Sequence, residues 1–95
     1  MALILAVKEG ESFFVGAKKF TLTKIVTPTR LTLVEEANGL DNTFTIAGRA
    51  AQEITPEVVV FIGDKSTEKV ARICFEAPRR IKIIRGELLE QGKTI

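Results

Sequence analysis

The chain has 95 residues, and its 14 lysines and arginines against 12 aspartates and glutamates give a net charge of only +2 at pH 7. This length fits one small domain, and so weak a charge does not by itself indicate a nucleic-acid partner. The chain has no histidine and only one cysteine, which removes the commonest general base, intrachain disulfides and thiolate metal cages. We therefore expect no enzyme, no cofactor and no metal site.

Short, β-branched apolar runs bounded by turn residues predict strands along most of the chain. The predicted strands are residues 3–7, 12–15, 20–25, 30–34, 42–46, 57–62, 70–75 and 80–84. Asn38-Gly39 predicts a turn, because both residues tolerate positive φ. We interpret residues 49–53 as a connection before Pro56. Residues 86–91 predict a short terminal helix.

This succession of short strands predicts a single all-β domain over residues 1–95. We expect an antiparallel β-sandwich, or barrel-like interleaved sheets, with the short helix at the C-terminal end. Alternation places Ile81 and Ile83 on one face of the last predicted strand and Arg80 and Lys82 on the other. The six phenylalanines lie in predicted strands, which favours a place in the core for them.

The basic residues are concentrated near the C-terminal end of the chain. Residues 1–48 carry five basic and five acidic groups, whereas residues 49–95 carry nine basic and seven acidic groups. Four of those nine basic groups lie between Arg79 and Arg85. Such a cluster is typical of a solvated strand edge, where lysine and arginine discourage sheets from aggregating. The alternative is a surface that binds phosphates.

The opening apolar stretch, residues 2–7, is too short for the hydrophobic region of a signal peptide and meets Lys8 at once. No segment approaches the length of a transmembrane helix. We therefore expect a cytoplasmic protein with no membrane partner.

Two blocks of sequence, one at each end of the chain, carry a resemblance to a known family. The N-terminal block contains Leu3-Ile4-Leu5-Ala6-Val7-Lys8, then Glu9-Gly10-Glu11-Ser12 and Val15-Gly16. The C-terminal block contains Ala71-Arg72-Ile73-Cys74-Phe75, Ala77-Pro78-Arg79-Arg80, Ile81-Lys82-Ile83-Ile84 and Arg85-Gly86-Glu87-Leu88. In order and spacing these blocks resemble the carbon storage regulator family, small dimeric bacterial proteins that repress translation. They cover under half of the chain, and the C-terminal block is the more specific.

The resemblance implies an RNA-binding translational regulator that grips a GGA element near a ribosome-binding site. The RNA partner would be a messenger leader or a small regulatory RNA, bound in a single-stranded or loop region where base edges are free. Arg85 matches the arginine that the family uses as a charged fork, which suits phosphate oxygens and the guanine edge. The other implied RNA-binding residues are Lys82, Arg80, Arg79, Lys8, Leu5, Ala77 and Pro78.

The sequence departs from the family at positions that matter for binding. Ala6-Val7 stands where members have Thr-Arg, Ile84 stands where they have histidine, and Gly86 stands where they have an acid. A weaker binder, or one with a changed RNA preference, fits these losses. The alternative function is a protein-interaction module, or a decoy of the same fold that has lost RNA binding.

The middle of the chain is longer than in the family and predicts an internal repeat. Residues 20–46 and residues 57–84 each read as three successive strands, so the halves 1–48 and 49–95 suggest a fused pseudo-dimer. In the family dimer, the first strand of one protomer lies beside the last strand of the other, and each such pair makes one RNA site. A fused chain would keep one site, with residues 3–8 beside residues 80–85, and would lose the second, because residues 42–47 carry no basic residue. The alternative is an ordinary homodimer in which residues 17–56 are an inserted hairpin. A monomeric pseudo-dimer and a homodimer both stay open.

Overall fold

The computed structural model describes residues 2–37 and 40–86, and nine strands form within them. The strands are β1 Ala2–Val7, β2 Ser12–Val15, β3 Lys18–Thr27, β4 Arg30–Ala37, β5 Leu40–Ala47, β6 Gln52–Thr55, β7 Val58–Ile62, β8 Ala71–Glu76 and β9 Ile83–Arg85. The predicted Asn38-Gly39 turn lies outside the described residues. So does the predicted terminal helix, except for its first residue, Gly86.

The strands form two antiparallel sheets that pack against each other. The four-stranded sheet has the order β1-β8-β7-β6, and the five-stranded sheet has the order β5-β4-β3-β2-β9. Every strand pair in both sheets is antiparallel. The predicted all-β antiparallel fold is confirmed, since two sheets that each bury one face must pack together to keep those faces dry.

The core lies between the sheets and follows from the alternation of side chains along each strand. In β8 every second residue is buried, and in β2 the buried residues Phe13 and Val15 alternate with half-buried ones. Phe13 is fully buried and stacks on Phe20 with ring centroids 5.6 Å apart. It also meets Phe75 of the opposite sheet edge-on at 5.3 Å. These three rings join the two sheets near the N-terminal end of β2.

Residues 49–53 were predicted as a connection, and this prediction is wrong for their second half. Gln52–Thr55 is a strand, β6, which forms a hairpin with β7. Ile54 is 3% exposed, so its side chain anchors this short strand on the core, and the ladder with β7 holds its backbone. Pro56 lies in the hairpin turn before Glu57, which has a φ of 72°. Proline therefore begins a tight turn here, because its fixed φ suits the first corner position.

The last predicted strand, residues 80–84, is shorter and begins later than expected. Only Ile83–Arg85 forms a strand, because the amide of Ile81 donates to the carbonyl of Pro78 at 3.1 Å and closes a turn. The predicted faces still hold in this segment. Ile81 and Ile83 pack against the core, whereas Arg80 and Lys82 are exposed.

The pairing of the first strand with the last, which the fused pseudo-dimer needs within one chain, is not formed among the described residues. β1 pairs with β8 over six residue pairs, and β9 pairs with β2. β1 and β9 are each the outer strand of a different sheet. The physical reason is that β8 offers β1 a longer, alternating apolar face than the three-residue β9 does.

The two halves of the predicted repeat pair their strands differently. β3, β4 and β5 follow one another in one sheet as a meander. β7 and β8 are neighbours in the other sheet, but β9 leaves it and pairs with β2. Within the described residues, the similar order of strands in sequence therefore does not produce a similar order of strands in space.

Candidate nucleic-acid interface

Arg85 joins the two sheets where their edges face each other. It lies opposite Phe13 in the β2–β9 pair, so its side chain starts from the face that holds the core. Its guanidinium Nη1 donates a hydrogen bond of 2.6 Å to the carbonyl of Ala6 in β1. The last strand therefore reaches the first one through a side chain, although the two strands are not paired.

The Arg85 side chain forms one wall of a polar cleft of about 300 Å³. The cleft is lined by the end of β1, the turn after it, and the adjoining parts of β2, β3 and β9. Its lining residues are Val7, Gly10, Glu11, Ser12, Lys19, Thr21 and Arg85. Two cations, one carboxylate and two hydroxyl groups thus surround a space large enough for a nucleotide base or a phosphate.

The turn between β1 and β2 forms the second wall, and hydrogen bonds hold it in place. The amide of Lys8 donates to Glu11 Oε1 at 2.7 Å, and the amide of Glu11 donates to the carbonyl of Lys8 at 3.0 Å. The turn also docks on β3, because Gly10 donates to the carbonyl of Leu22 and Leu22 donates to that of Glu11. Gly10 has a φ of 85°, which favours glycine. The wall is therefore preformed.

Gly86 allows the chain to pass close to Ser12 at the base of the cleft. A Cβ atom at this position would lie 2.4 Å from Ser12 Oγ and 3.0 Å from the Ser12 carbonyl oxygen. Real side chains do not tolerate such distances, so only glycine fits without movement. An acid at this position, as in the family that the chain resembles, would not fit here without movement of Ser12.

The outer face of β2 adds an aromatic residue that the sequence analysis assigned to the core. Phe14 alternates with the buried Phe13 and is only half-buried. It lies opposite Lys19 of β3 on one side and Ile84 of β9 on the other. Because Lys19 also lines the cleft, Phe14 presents an aromatic side chain beside it. The prediction that all six phenylalanines are core residues is wrong for Phe14 and for Phe61, which is half-buried in β7 and is not part of the core cluster.

Four further residues of this site were missed: Ser12, Lys19, Thr21 and Glu11. Ser12 and Thr21 are directly opposite each other in the β2–β3 pair, which brings their hydroxyl groups to one place. Lys19 lies 3.7 Å from Glu36 of β4. The alternation of Ser12 with Phe13 was a signal that could have placed Ser12 on the outer face. The position of Thr21 depends on strand register, which no local pattern specifies.

Of the predicted site residues in the first strand and the Ala-Pro segment, only Lys8 is exposed. It follows Val7 and belongs to the turn that forms the cleft wall. Leu5 is partly buried and packs against the core, and Ala77 is 6% exposed. Pro78 is half-buried and its carbonyl accepts the bond that closes the following turn. These apolar residues support the site region and do not line the cleft.

The predicted basic residues before Arg85 lie at the opposite end of β9. Lys82 precedes the Val15–Ile83 end of the β2–β9 pair, whereas Arg85 lies at its Phe13 end. Three residues of strand separate them, a distance of about 10 Å. Arg79, Arg80 and Lys82 are all exposed, and Arg80 forms an ion pair with Glu57 in the β6–β7 turn. Only Arg85 of the predicted basic cluster lines the cleft.

Arg85 has no carboxylate partner within residues 2–37 and 40–86. The ion pairs of these residues are Lys18–Glu35, Lys19–Glu36, Arg49–Asp64 and Arg80–Glu57. In the same ranges the Arg85 guanidinium donates its hydrogen bond to the Ala6 carbonyl. A guanidinium carries five N–H donors, so one bond to a neutral carbonyl leaves donors that a ligand in the cleft could use.

Comparisons with family models, with curated proteins and with solved structures find no match for this chain. Among the described residues, no helix has the length and apolarity to cross a bilayer. The same residues hold no cluster of three or more potential metal ligands.

Proposed function

We propose that this chain is an RNA-binding translational regulator that takes an unpaired RNA segment into the Arg85 cleft. The observation that carries the proposal is the position of Arg85, which is half-buried, bonded to the backbone of β1 and part of no ion pair in the described chain. A guanidinium fixed in this way is a preorganised donor fork for a phosphate or for the O6/N7 edge of guanine.

The surroundings of Arg85 supply the other contacts that single-stranded RNA needs. Lys19 adds a second basic group, which also forms an ion pair with Glu36, and Ser12 and Thr21 add hydroxyl groups within the same cleft. Phe14, beside Lys19, offers a ring on which an unpaired base can stack. Stacking contributes about 1–3 kcal/mol per base and needs no particular sequence. Sequence preference would then come from Arg85.

The regulatory role rests on the resemblance to the carbon storage regulator family. Arg85 matches the arginine with which that family grips GGA elements near ribosome-binding sites. A protein bound there blocks access of the ribosome to the message. The matching arginine and a second cation line one cleft, and Phe14 lies opposite that cation in the β2–β3 pair, which supports the same kind of ligand here.

The test is binding of a short RNA hairpin with GGA in its loop, measured by fluorescence anisotropy at low salt. We expect Arg85→Ala to weaken binding by about 30-fold, the equivalent of about 2 kcal/mol for a lost charge-assisted contact. Arg85→Lys keeps the charge but not the planar fork, so its affinity should lie between the two. A loop with CCA in place of GGA should bind more weakly to the wild type.

The matched control is Arg30→Ala. Arg30 is also an arginine on a strand, but it is exposed and pairs with Thr27 at the far end of the β3–β4 hairpin from Lys19. Eight residues of strand separate Thr27 from Lys19, a distance of about 26 Å. Arg30→Ala should therefore change affinity by less than about twofold. Equal losses for Arg85→Ala and Arg30→Ala would show that only net charge matters, and would contradict the proposal.

A protein-interaction role is the second candidate, and the first strand favours it. Where the family has a polar Thr-Arg pair, Val7 is 2% exposed and belongs to the core, so β1 contributes no phosphate contact through it. If the wild-type chain does not bind the GGA loop at low salt, the RNA proposal is wrong and this second candidate replaces it. Binding of a protein partner should survive both added salt and Arg85→Ala.

A further inference from the structure

The two sheets expose four outer strands, and β1 differs from the other three. Its residues, Ala2–Val7, carry no charge and no proline. Its register with β8 runs through six residue pairs without a bulge. Natural proteins protect outer strands with charges, proline, bulges or short length, because an unprotected edge pairs with another chain. β1 has none of these protections.

The other three outer strands are each protected in a recognisable way. β6 has four residues, an exposed Glu53 and a shift of register after it. β9 has only three residues and carries Arg85. β5 is long, but it carries the exposed Asp41, Asn42 and Thr43 at one end. The contrast with β1 is therefore specific to that strand and not a general property of this fold.

Apolar side chains of β1 are also incompletely covered on both of its faces. Ile4, on the outer face, is 59% exposed, the largest exposure among the bulky apolar residues named in the described chain. Leu3 and Leu5, on the inner face, are only partly buried against the core. Each side chain would lose contact with water if another strand were added beside β1, which is the main source of stabilisation for such pairing.

The Arg85 bond shows which backbone groups of β1 face the free edge. In an antiparallel sheet, every second residue directs both its N–H and its C=O to the same side. The carbonyl of Ala6 is bonded to Arg85, so it points away from β8. Ala2 and Ile4 then share this direction. Arg85 already occupies the edge at Ala6, and within residues 2–37 and 40–86 no strand pairs with the outer side of Ala2 and Ile4.

We propose that a second copy of this chain pairs with this edge, antiparallel and about a twofold axis near Leu3. The two four-stranded sheets would become one continuous eight-stranded sheet. A twofold axis places each strand against itself, so a charged strand would meet its own charge, whereas the uncharged β1 is self-complementary. The outward-facing backbone groups of Ala2 and Ile4 would be shared between the copies, and Ala6 would keep its bond to Arg85.

This assembly differs from the interleaved dimer that the family resemblance implies. Every described strand pairs within its own chain, and the contact proposed here joins two complete sheets edge to edge. Only one short strand per copy takes part, so we expect a dimer in the micromolar range, at the weak end of specific interfaces. The assembly does not depend on RNA, because Ile4 does not line the Arg85 cleft.

The test is sedimentation equilibrium of the full chain without RNA over a wide concentration range. We expect the mass to rise from 10.4 kDa towards twice that value. Ile4→Lys adds a charge to the free edge and should raise the dissociation constant at least tenfold. Val26→Lys is the matched control, because Val26 is similarly exposed at 50% but lies on β3, inside a sheet. It should change the constant by less than twofold.

Amide hydrogen exchange gives an independent measurement on the wild-type chain. The amides of Ala2 and Ile4 should exchange more slowly as concentration rises, whereas those of Leu3 and Leu5, which face β8, should be protected throughout. A wild type that stays at 10.4 kDa at every concentration would overturn the proposal. So would an association that Ile4→Lys leaves intact, or protection of Ile4 that does not depend on concentration, since another part of the chain would then cover the edge.

Discussion

Two parts of one basic segment have different surroundings in this molecule. Arg85 is half-buried, bonds to β1 and lines a preformed cleft. Arg79, Arg80 and Lys82 are exposed in and after a turn, and Arg80 is already paired with Glu57. The comparison teaches that residues three to six positions apart need not share a surface. The pairing of β9 with β2 assigns Arg85 to one end of a strand and the other cations to the opposite end.

The largest expected effect is on the free energy of unfolding and concerns Phe13, the core residue opposite Arg85. Phe13 lies opposite Arg85 and contacts Phe20 and Phe75, so Phe13→Ala should lower the free energy of unfolding by about 3–5 kcal/mol. Chemical denaturation measures this loss. Phe14→Ala is the control, since the neighbouring ring is only half-buried and should cost less than half as much. A larger loss for Phe14→Ala would mean that the two rings have exchanged faces.

The sequence was sufficient to predict the fold class and the location of most strands. Alternation of apolar and polar residues is a local property, and it placed β2 and β8 to within a residue of their observed bounds. It failed at β6, where Ile54 is the single buried residue of the strand and the pattern is too short to detect. It also failed at β9, because the Pro78–Ile81 turn shortens that strand.

The candidate site was only partly predictable, because it depends on which strands become neighbours. Arg85 was identified through its place in a motif. Lys19 and Thr21 join it only because β2 lies between β3 and β9, and that order depends on contacts distant in sequence. The same long-range pairing separated Lys82 from Arg85. A linear sequence shows that residues are near along the chain, but strand order decides which of them meet.

The next largest expected effect, also on the free energy of unfolding, tests the close approach of Gly86 to Ser12. Gly86→Ala should lower the free energy of unfolding by about 1–3 kcal/mol, because the new Cβ meets Ser12. Ser12→Ala in the same chain removes the nearest contact and should restore part of the loss. Gly63→Ala is the control, since its nearest contacts are at 3.3 Å and the shift needed is smaller. No rescue by Ser12→Ala would contradict the assigned contact.

A smaller expected effect is on the salt dependence of RNA binding, which should differ between Arg85 and the exposed Arg80. For single-stranded RNA, each phosphate contact adds about 0.7 to the slope of log affinity against log salt concentration. Arg85→Ala should reduce that slope by about this amount. Arg80→Ala should leave it unchanged, because Glu57 already balances that charge on the other side of β9. Titrations of the GGA hairpin at several salt concentrations measure the slopes, and equal reductions would remove the distinction between the two regions.

The smallest expected effect concerns Glu57, the non-glycine residue with positive φ in the described chain. A side chain in this conformation costs about 1 kcal/mol, which glycine avoids. The exposed Arg80–Glu57 pair contributes between about 0 and 1 kcal/mol, so Glu57→Gly should change stability by less than about 1 kcal/mol. Glu57→Ala keeps the strain and loses the pair, and should therefore be the less stable of the two variants in chemical denaturation.

The same Glu57→Gly variant also tests whether the turn cations take part in RNA binding. It releases Arg80 from its acidic partner without changing any residue that lines the cleft. If RNA binds only at the Arg85 end, affinity for the GGA hairpin should stay within about twofold of the wild type, because the released charge is exposed and screened by salt. A clear gain in affinity would show that the RNA interface extends along the whole of β9. The ion pair between Arg80 and Glu57 would then weaken RNA binding in the wild type.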